Sequence, residues 1–207
     1  MGVLDALLAG LVPPRCPACG RSCRRQEAIC PGCARRLAEA KPLSGRGPAG
    51  VDCAWSSAPH QGVARDLVTA LKVRRLLPVA AVMAERIDWL VPTALLGGAI
   101  VPVPTAARRT RRRGFDPAAE IAAALCRLNG VPIHSCLVRD GGGRQVGRSR
   151  ARRIAEPPRI RAEGDAPASV LLVDDVFTTG ATLSACADAL RRAGTRRIVA
   201  VTFARRL

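Results

Sequence analysis

The segment Val170-Leu171-Leu172-Val173-Asp174-Asp175-Val176-Phe177-Thr178-Thr179-Gly180-Ala181-Thr182 restricts the fold more tightly than any other part of the chain. Its apolar start reads as a buried strand of an α/β sheet. The strand ends in two carboxylates, turns through Thr/Thr/Gly, and opens an alanine-rich helix. Ionised Asp174 and Asp175 are acceptors only, so they suit charge-assisted hydrogen bonds from neighbouring hydroxyls of a sugar. The turn behind them aims backbone N–H groups, reinforced by the positive end of the following helix, at a phosphate. Together these residues describe a cradle for a phosphorylated sugar. They also suit a plain buried strand with a polar turn.

The rest of the chain alternates between helical and apolar strand patterns. Helices are expected over Val3 to Leu11, Gly62 to Leu77, Val79 to Leu90, Pro117 to Leu128, Arg150 to Ala155 and Ala181 to Arg192. Strands are expected at Ile100 to Val103, Val131 to Val138, Ser169 to Val173 and Arg197 to Phe203, with a short strand pair in Val51 to Pro59. Asp116 before Pro117 is a good helix start, an N-cap followed by proline in the first turn. The alternation predicts a mostly parallel sheet covered by helices on both faces. Residues 1–40 read as an N-terminal helix plus a cysteine module, and 51–207 as the α/β domain. The Pro- and Gly-rich stretch Lys41 to Gly50 reads as a linker between them.

Charge and cysteine usage narrow the partners. The formal net charge is +17, nearly all from arginine, since Lys41 and Lys72 are the only lysines. Arginine grips phosphate as a bidentate fork, so polyanions are favoured ligands. Aromatic residues make up 2% and are scattered, which argues against a stacking platform for bases. Nine cysteines cannot all pair, so a complete disulfide framework is excluded. No basic start precedes the apolar Met1 to Val12, and the uncharged Trp89 to Ala107 is interrupted by Pro92, Gly97, Gly98, Pro102 and Pro104. A soluble, cytoplasmic protein is expected.

Cys16-Pro-Ala-Cys19 and Cys30-Pro-Gly-Cys33 are two C-x-x-C pairs with ten residues between them. Each pair can chelate through a tight turn, and two complete the four-thiolate tetrahedron of a structural zinc site. Cys23 is an alternative ligand, and a redox pair is the competing reading. Arg15, Arg21, Arg24, Arg25, Arg35 and Arg36 surround the pairs and offset the negative charge of a zinc tetrathiolate. Cys53, Cys126, Cys136 and Cys186 read as buried or half-buried apolar residues.

A second informative region is Ile100-Val101-Pro102-Val103-Pro104, followed by Thr105 to Arg113. Five of the six residues from Arg108 to Arg113 are arginine. Loops at strand carboxyl ends line the crevice of an open α/β sheet, so an arginine loop there can hold an anion or close over it. A solvated basic run or a nucleic-acid contact is the other reading. His60 and His134, the only histidines, read as ordinary surface or strand residues.

The signature around Asp174 resembles the 5-phosphoribosyl-1-pyrophosphate (PRPP) motif of type I phosphoribosyltransferases. The chain as a whole resembles the ComF/GntX family, phosphoribosyltransferase-like proteins linked to DNA uptake. That resemblance rests on the cysteine knuckles, Leu71-Lys72, Val101-Pro102-Val103-Pro104, Arg111-Arg112-Arg113-Gly114-Phe115-Asp116, Gln145-Val146-Gly147 with Ser149 and Arg153, and the PRPP motif itself. It implies a type I phosphoribosyltransferase core behind a small zinc-ribbon module. It further implies Asp174 and Asp175 on the ribose 2′ and 3′ hydroxyls as the catalytic pair, and Thr178, Thr179, Gly180, Ala181 and Thr182 around the 5′-phosphate. Pro104, Arg113, Lys72 and Gln145 would lie near PRPP, which carries Mg²⁺. Single-stranded DNA and a helicase-like competence protein are the implied partners, in a role with or without turnover. The pattern has a glycine soon after the Leu-Lys pair, where Val73-Arg74-Arg75 stand here. Arg148, Arg152 and Glu156 also depart from it, on the side that would cover or select the acceptor.

Overall fold

The computed structural model describes residues 14–92, 98–140 and 158–206. The expected helices Val3 to Leu11 and Arg150 to Ala155 lie outside the described residues, as does the Gln145 to Arg153 stretch. The four-cysteine segment runs into helix α1 (Pro31–Ala38), and edge strand β1 (Leu43–Arg46) follows. Then come β2 (Cys53–Pro59), α2 (Gly62–Lys72), α3 (Val79–Leu90) and β3 (Ala99–Pro102). The second half contains α4 (Ala107–Arg113), α5 (Pro117–Asn129), β4 (Leu137–Arg139), β5 (Ile160–Ala162), β6 (Ser169–Phe177), α6 (Ala181–Arg192) and β7 (Arg197–Arg205).

Five strands form one sheet in the order β1-β2-β7-β6-β3, parallel except for the antiparallel β1. This is the expected mostly parallel sheet flanked by helices. β4 and β5 make a separate antiparallel pair. The β6 strand shows why the sheet is buried on both faces. Leu171 and Val173 enter a core shared with α2, α3 and α5, whereas Val170 and Leu172 enter a second core shared with α6 and the β4–β5 pair.

Four local expectations are corrected. Val51 to Pro59 holds one strand, not two; its partner β1 comes from the stretch read as linker, where the Leu43-Ser44-Gly45-Arg46 backbone pairs with Cys53 to Ser56. A mostly exposed edge strand has no apolar periodicity to announce it. The arginine loop contains a two-turn helix, α4, closed by left-handed Gly114. The Gly62 to Leu77 helix stops at Lys72. Leu76 N–H bonds back to the Ala70 carbonyl at 3.1 Å while Arg75 takes φ 58°, a left-handed turn with arginine where glycine is usual. Leu77 precedes Pro78, which disfavours a helical continuation. The Val131 to Val138 strand survives only as a bridge from Ile133 to Ile100 and as the start of β4.

The cysteine module is sewn onto the α/β core. Cys16, Cys23, Ile29, Cys33 and Leu37 belong to the same buried cluster as Leu67, Leu71 and Met83. Arg86, 8% exposed, sends its guanidinium to the carbonyls of Ala38 (3.1 Å) and Ala40 (2.8 Å), satisfying the end of α1.

Candidate functional site

Because β2, β7, β6 and β3 are parallel, their carboxyl ends share one edge. Register brings Pro59 beside Arg205 and Arg205 beside Phe177, so His60, Arg206 and Thr178 follow at that edge. On the other side, Val103 N–H donates to Val173 O at 2.9 Å, and Pro104 stands just beyond. Asp174 and Asp175 lie on β6 within this edge.

Strand alternation sends the two acids to opposite faces. Asp175, 5% exposed, points to the α2 side, where Lys72 Nζ meets its Oδ2 at 2.5 Å. Asp174 continues the Val170 and Leu172 face, toward α6 and β4. Its Oδ1 accepts the Asp175 N–H at 2.8 Å. Burial pushes the Asp174 carboxyl well above the usual aspartate range, with the neighbouring Asp175 charge adding to the rise and Lys72 opposing it. The pair is therefore unequal, one acid neutralised by an ammonium and the other inclined to keep its proton.

Beyond Phe177 the chain turns through exposed Thr178 and Thr179 to buried Gly180, whose φ of 79° suits glycine. A Cβ there would sit 2.9 Å from Pro48 Cβ and 3.1 Å from Phe177 Cε2. Thr179 Oγ1 accepts the Ala181 N–H at 3.4 Å, and Ser184 N–H bonds Gly180 O at 2.8 Å to begin α6. The amides of the first α6 turn, around Ala181 and Thr182, are left without intrahelical partners beside exposed threonines.

The arginine helix is held at the same edge. Asp116 Oδ2 accepts Thr105 N–H at 2.8 Å, and its Oδ1 accepts Thr105 Oγ1 and Ala118 N–H, both at 3.0 Å. One carboxylate thus closes the segment bearing α4 and caps α5, as expected for its N-cap position. Arg108, Arg109, Arg111 and Arg112 are exposed, and Arg113 lies over the Phe115 ring at 5.8 Å. Of the residues expected near a ligand, Lys72 joins Asp175 directly, Pro104 shares the edge, and Arg113 is turned onto Phe115.

Two residues were not foreseen. His60 is half-buried, and its pKa is lowered by burial first, then by the charges of Lys72 and Arg206, which keeps the imidazole neutral at pH 7. Arg139, ending β4, is lowered chiefly by burial and then by Arg109, with Asp174 among the charges that counter this. The signal was available. His60 immediately follows a strand that ends at the crevice, the same rule that singled out Thr105 to Arg113.

The four knuckle cysteines converge. Their sulfurs lie within 4.8 Å of one another, with Cys19 and Cys30 at 3.6 Å. Zinc–thiolate bonds of about 2.3 Å place sulfurs roughly 3.8 Å apart in a tetrahedron, so the cluster fits one zinc ion. Cys30 N–H (3.4 Å) and Arg36 Nη2 (3.2 Å) donate to the sulfurs of Cys16 and Cys33, the hydrogen bonds that stabilise bound thiolates. Cys23 stands outside this set; burial, aided by the Cys16 charge, pushes its thiol up to about 11.

A mostly parallel sheet, a strand–acid pair–turn–helix at its carboxyl edge and a four-cysteine module define a protein of phosphoribosyltransferase-like fold with a four-cysteine knuckle that could hold a zinc ion. Residues 111–207 match the phosphoribosyl transferase domain family. The chain is also similar to Competence protein ComFC of Bacillus subtilis (strain 168), with 33% identity over 100 residues, 46% of this chain and 39% of that protein. These matches and the cysteine cluster bear out the resemblance to the ComF family. No helix among the described residues is long and apolar enough to cross a membrane.

Proposed function

We propose that the chain binds PRPP at the carboxyl edge of the sheet and transfers its phosphoribosyl group to an acceptor. Asp174 and Asp175 take the ribose 2′ and 3′ hydroxyls, and Thr178 to Thr182 take the 5′-phosphate. The observation that carries this reading is the continuity of the acid pair with an amide-lined turn closed by a glycine that admits no side chain. Lys72, released from Asp175, and the α4 arginines, with Arg113 and Pro104 beside them, face the pyrophosphate. Mg²⁺ arrives on the phosphates, as it does where few protein ligands are offered. Bound there, it supplies charge neutralisation for the departing pyrophosphate. Asp174 and Asp175 steady the ring as positive charge develops at C1.

Isothermal calorimetry with PRPP and Mg²⁺ tests the reading. Asp174→Asn combined with Asp175→Asn removes both carboxyl partners of the ribose hydroxyls, about 1.5–3 kcal/mol for the charged one, and should abolish measurable binding. Wild-type affinity in the folded double variant refutes it. Screening nucleobases and amines for pyrophosphate release then identifies the acceptor.

A second reading draws on the exposed arginines of α4 and the +17 charge. In it the protein is a non-catalytic competence module of the cytoplasm that senses PRPP, or binds single-stranded DNA alongside a helicase-like partner. It requires a steep salt dependence of single-stranded DNA binding that vanishes when Arg108 to Arg113 are neutralised. Absence of retardation at low salt removes it.

A further inference from the structure

At and just after the end of α2, Lys72, Arg74 and Arg75 reach three different parts of the molecule. Lys72 Nζ pairs with Asp175. Arg74 Nη2 donates to the carbonyl of Pro17, inside the first cysteine knuckle. Arg75 Nη2 donates to the Arg112 carbonyl of α4 at 2.9 Å. Leu71, directly before them, is fully buried in the core that also contains Cys16 and Cys33. The closure that makes this possible is costly. Arg75 adopts φ 58°, a left-handed conformation that a branched or long side chain rarely takes, and it is the only non-glycine residue among those described to do so. Glycine would form the same turn with less strain. What it lacks is the guanidinium that spans to α4.

We propose that Arg74 and Arg75 are positioning residues that fix Lys72 and the arginine helix by reference to the metal knuckle. Zinc held by Cys16, Cys19, Cys30 and Cys33 makes Pro17 a rigid anchor. Arg74 transmits that anchor to the turn, and Arg75 carries it to the carbonyl end of α4. The connection is contiguous and covers a few residues, so it needs no long-range pathway. The consequence for ligand binding rests on the PRPP reading above; the mechanical link does not.

Hydrogen exchange on the zinc-loaded protein separates the two. In the Arg74→Ala and Arg75→Gly variants, amides of residues 105–116 should exchange at least about fivefold faster than in wild type. The knuckle amides of the Arg75→Gly protein should remain at wild-type rates. Because glycine suits the left-handed turn, that variant should be no less stable thermally, which rules out a general loss of folding as the cause. Stripping zinc from the wild type with a chelator should reproduce the acceleration, and stripping it from Arg75→Gly should add none. Wild-type exchange rates in both metal-loaded variants overturn the proposal. Calorimetry with Mg²⁺ and PRPP forms the second arm, where Arg75→Gly should weaken binding about fivefold. Wild-type PRPP affinity in a variant whose 105–116 segment has loosened overturns the positioning role. A wild-type protein that binds no PRPP sinks the functional reading and leaves the strap to be decided by exchange alone.

Discussion

Asp174 and Asp175 are neighbours of identical chemistry, and their substitution by asparagine should move stability in opposite directions. Asp175 is the buried partner of Lys72, with side-chain exposures of 7% and 31%. Breaking a fully buried pair from one side costs about 3–5 kcal/mol. The Lys72 ammonium keeps part of its water, so about 2–3 kcal/mol is the better figure for Asp175→Asn. For a chain of this size that lowers the melting temperature by roughly 4–12 °C at pH 7. Asp174 behaves otherwise. Its folded pKa is raised by burial and by the Asp175 charge. The folded state therefore holds this proton more tightly than the unfolded chain. The resulting stability is complete below the unfolded value of about 3.9 and is lost as pH rises through the raised folded value. Asp174→Asn removes that loss while the amide oxygen can still accept the Asp175 N–H. The variant should melt above wild type at pH 8, and the gap should close on acidification toward the ordinary aspartate range. Differential scanning calorimetry at pH 8 and on stepwise acidification reads both effects. An Asp174→Asn protein that melts below wild type at pH 8, with an unchanged pH slope, would refute the electrostatic assignment of the site.

Gly180→Ala should cost about 1–2 kcal/mol of stability by thermal denaturation, because the left-handed φ of 79° and the 2.9 Å approach to Pro48 Cβ both oppose a side chain. PRPP affinity should fall with it. Cys19→Ser should reduce bound zinc, measured by atomic emission, from one ion per chain to a small fraction, whereas Cys23→Ser should leave the stoichiometry unchanged. Equal zinc loss in the two variants would place Cys23 in the ligand set.

What could be read from the chain depended on whether its signal was local. The helix Ala181–Arg192 and the Asp116 cap are determined by residues a few positions apart and fell where pattern and capping chemistry put them, whereas the strand expected over Ser169 to Val173 runs on through both acids to Phe177. The cysteine cluster was legible for the same reason, since each C-x-x-C turn half-builds the tetrahedron unaided. The misses were non-local. β1 exists because β2 offers it a partner, and Arg139 matters only once the packing of β4 against α6 is known. The turn after Lys72 is the instructive case. Val73-Arg74-Arg75 stands where the family pattern has a glycine, and the sequence alone showed only that departure. In the folded chain Arg75 takes a left-handed conformation, and both guanidiniums are used, one on the knuckle and one on α4. An arginine in a left-handed conformation is strained, and here its side chain makes a contact to α4 that a glycine could not. Arg74 and Arg75 thereby tie the four-cysteine module to the turn after α2 and to α4, at the sheet edge that carries Asp174 and Asp175.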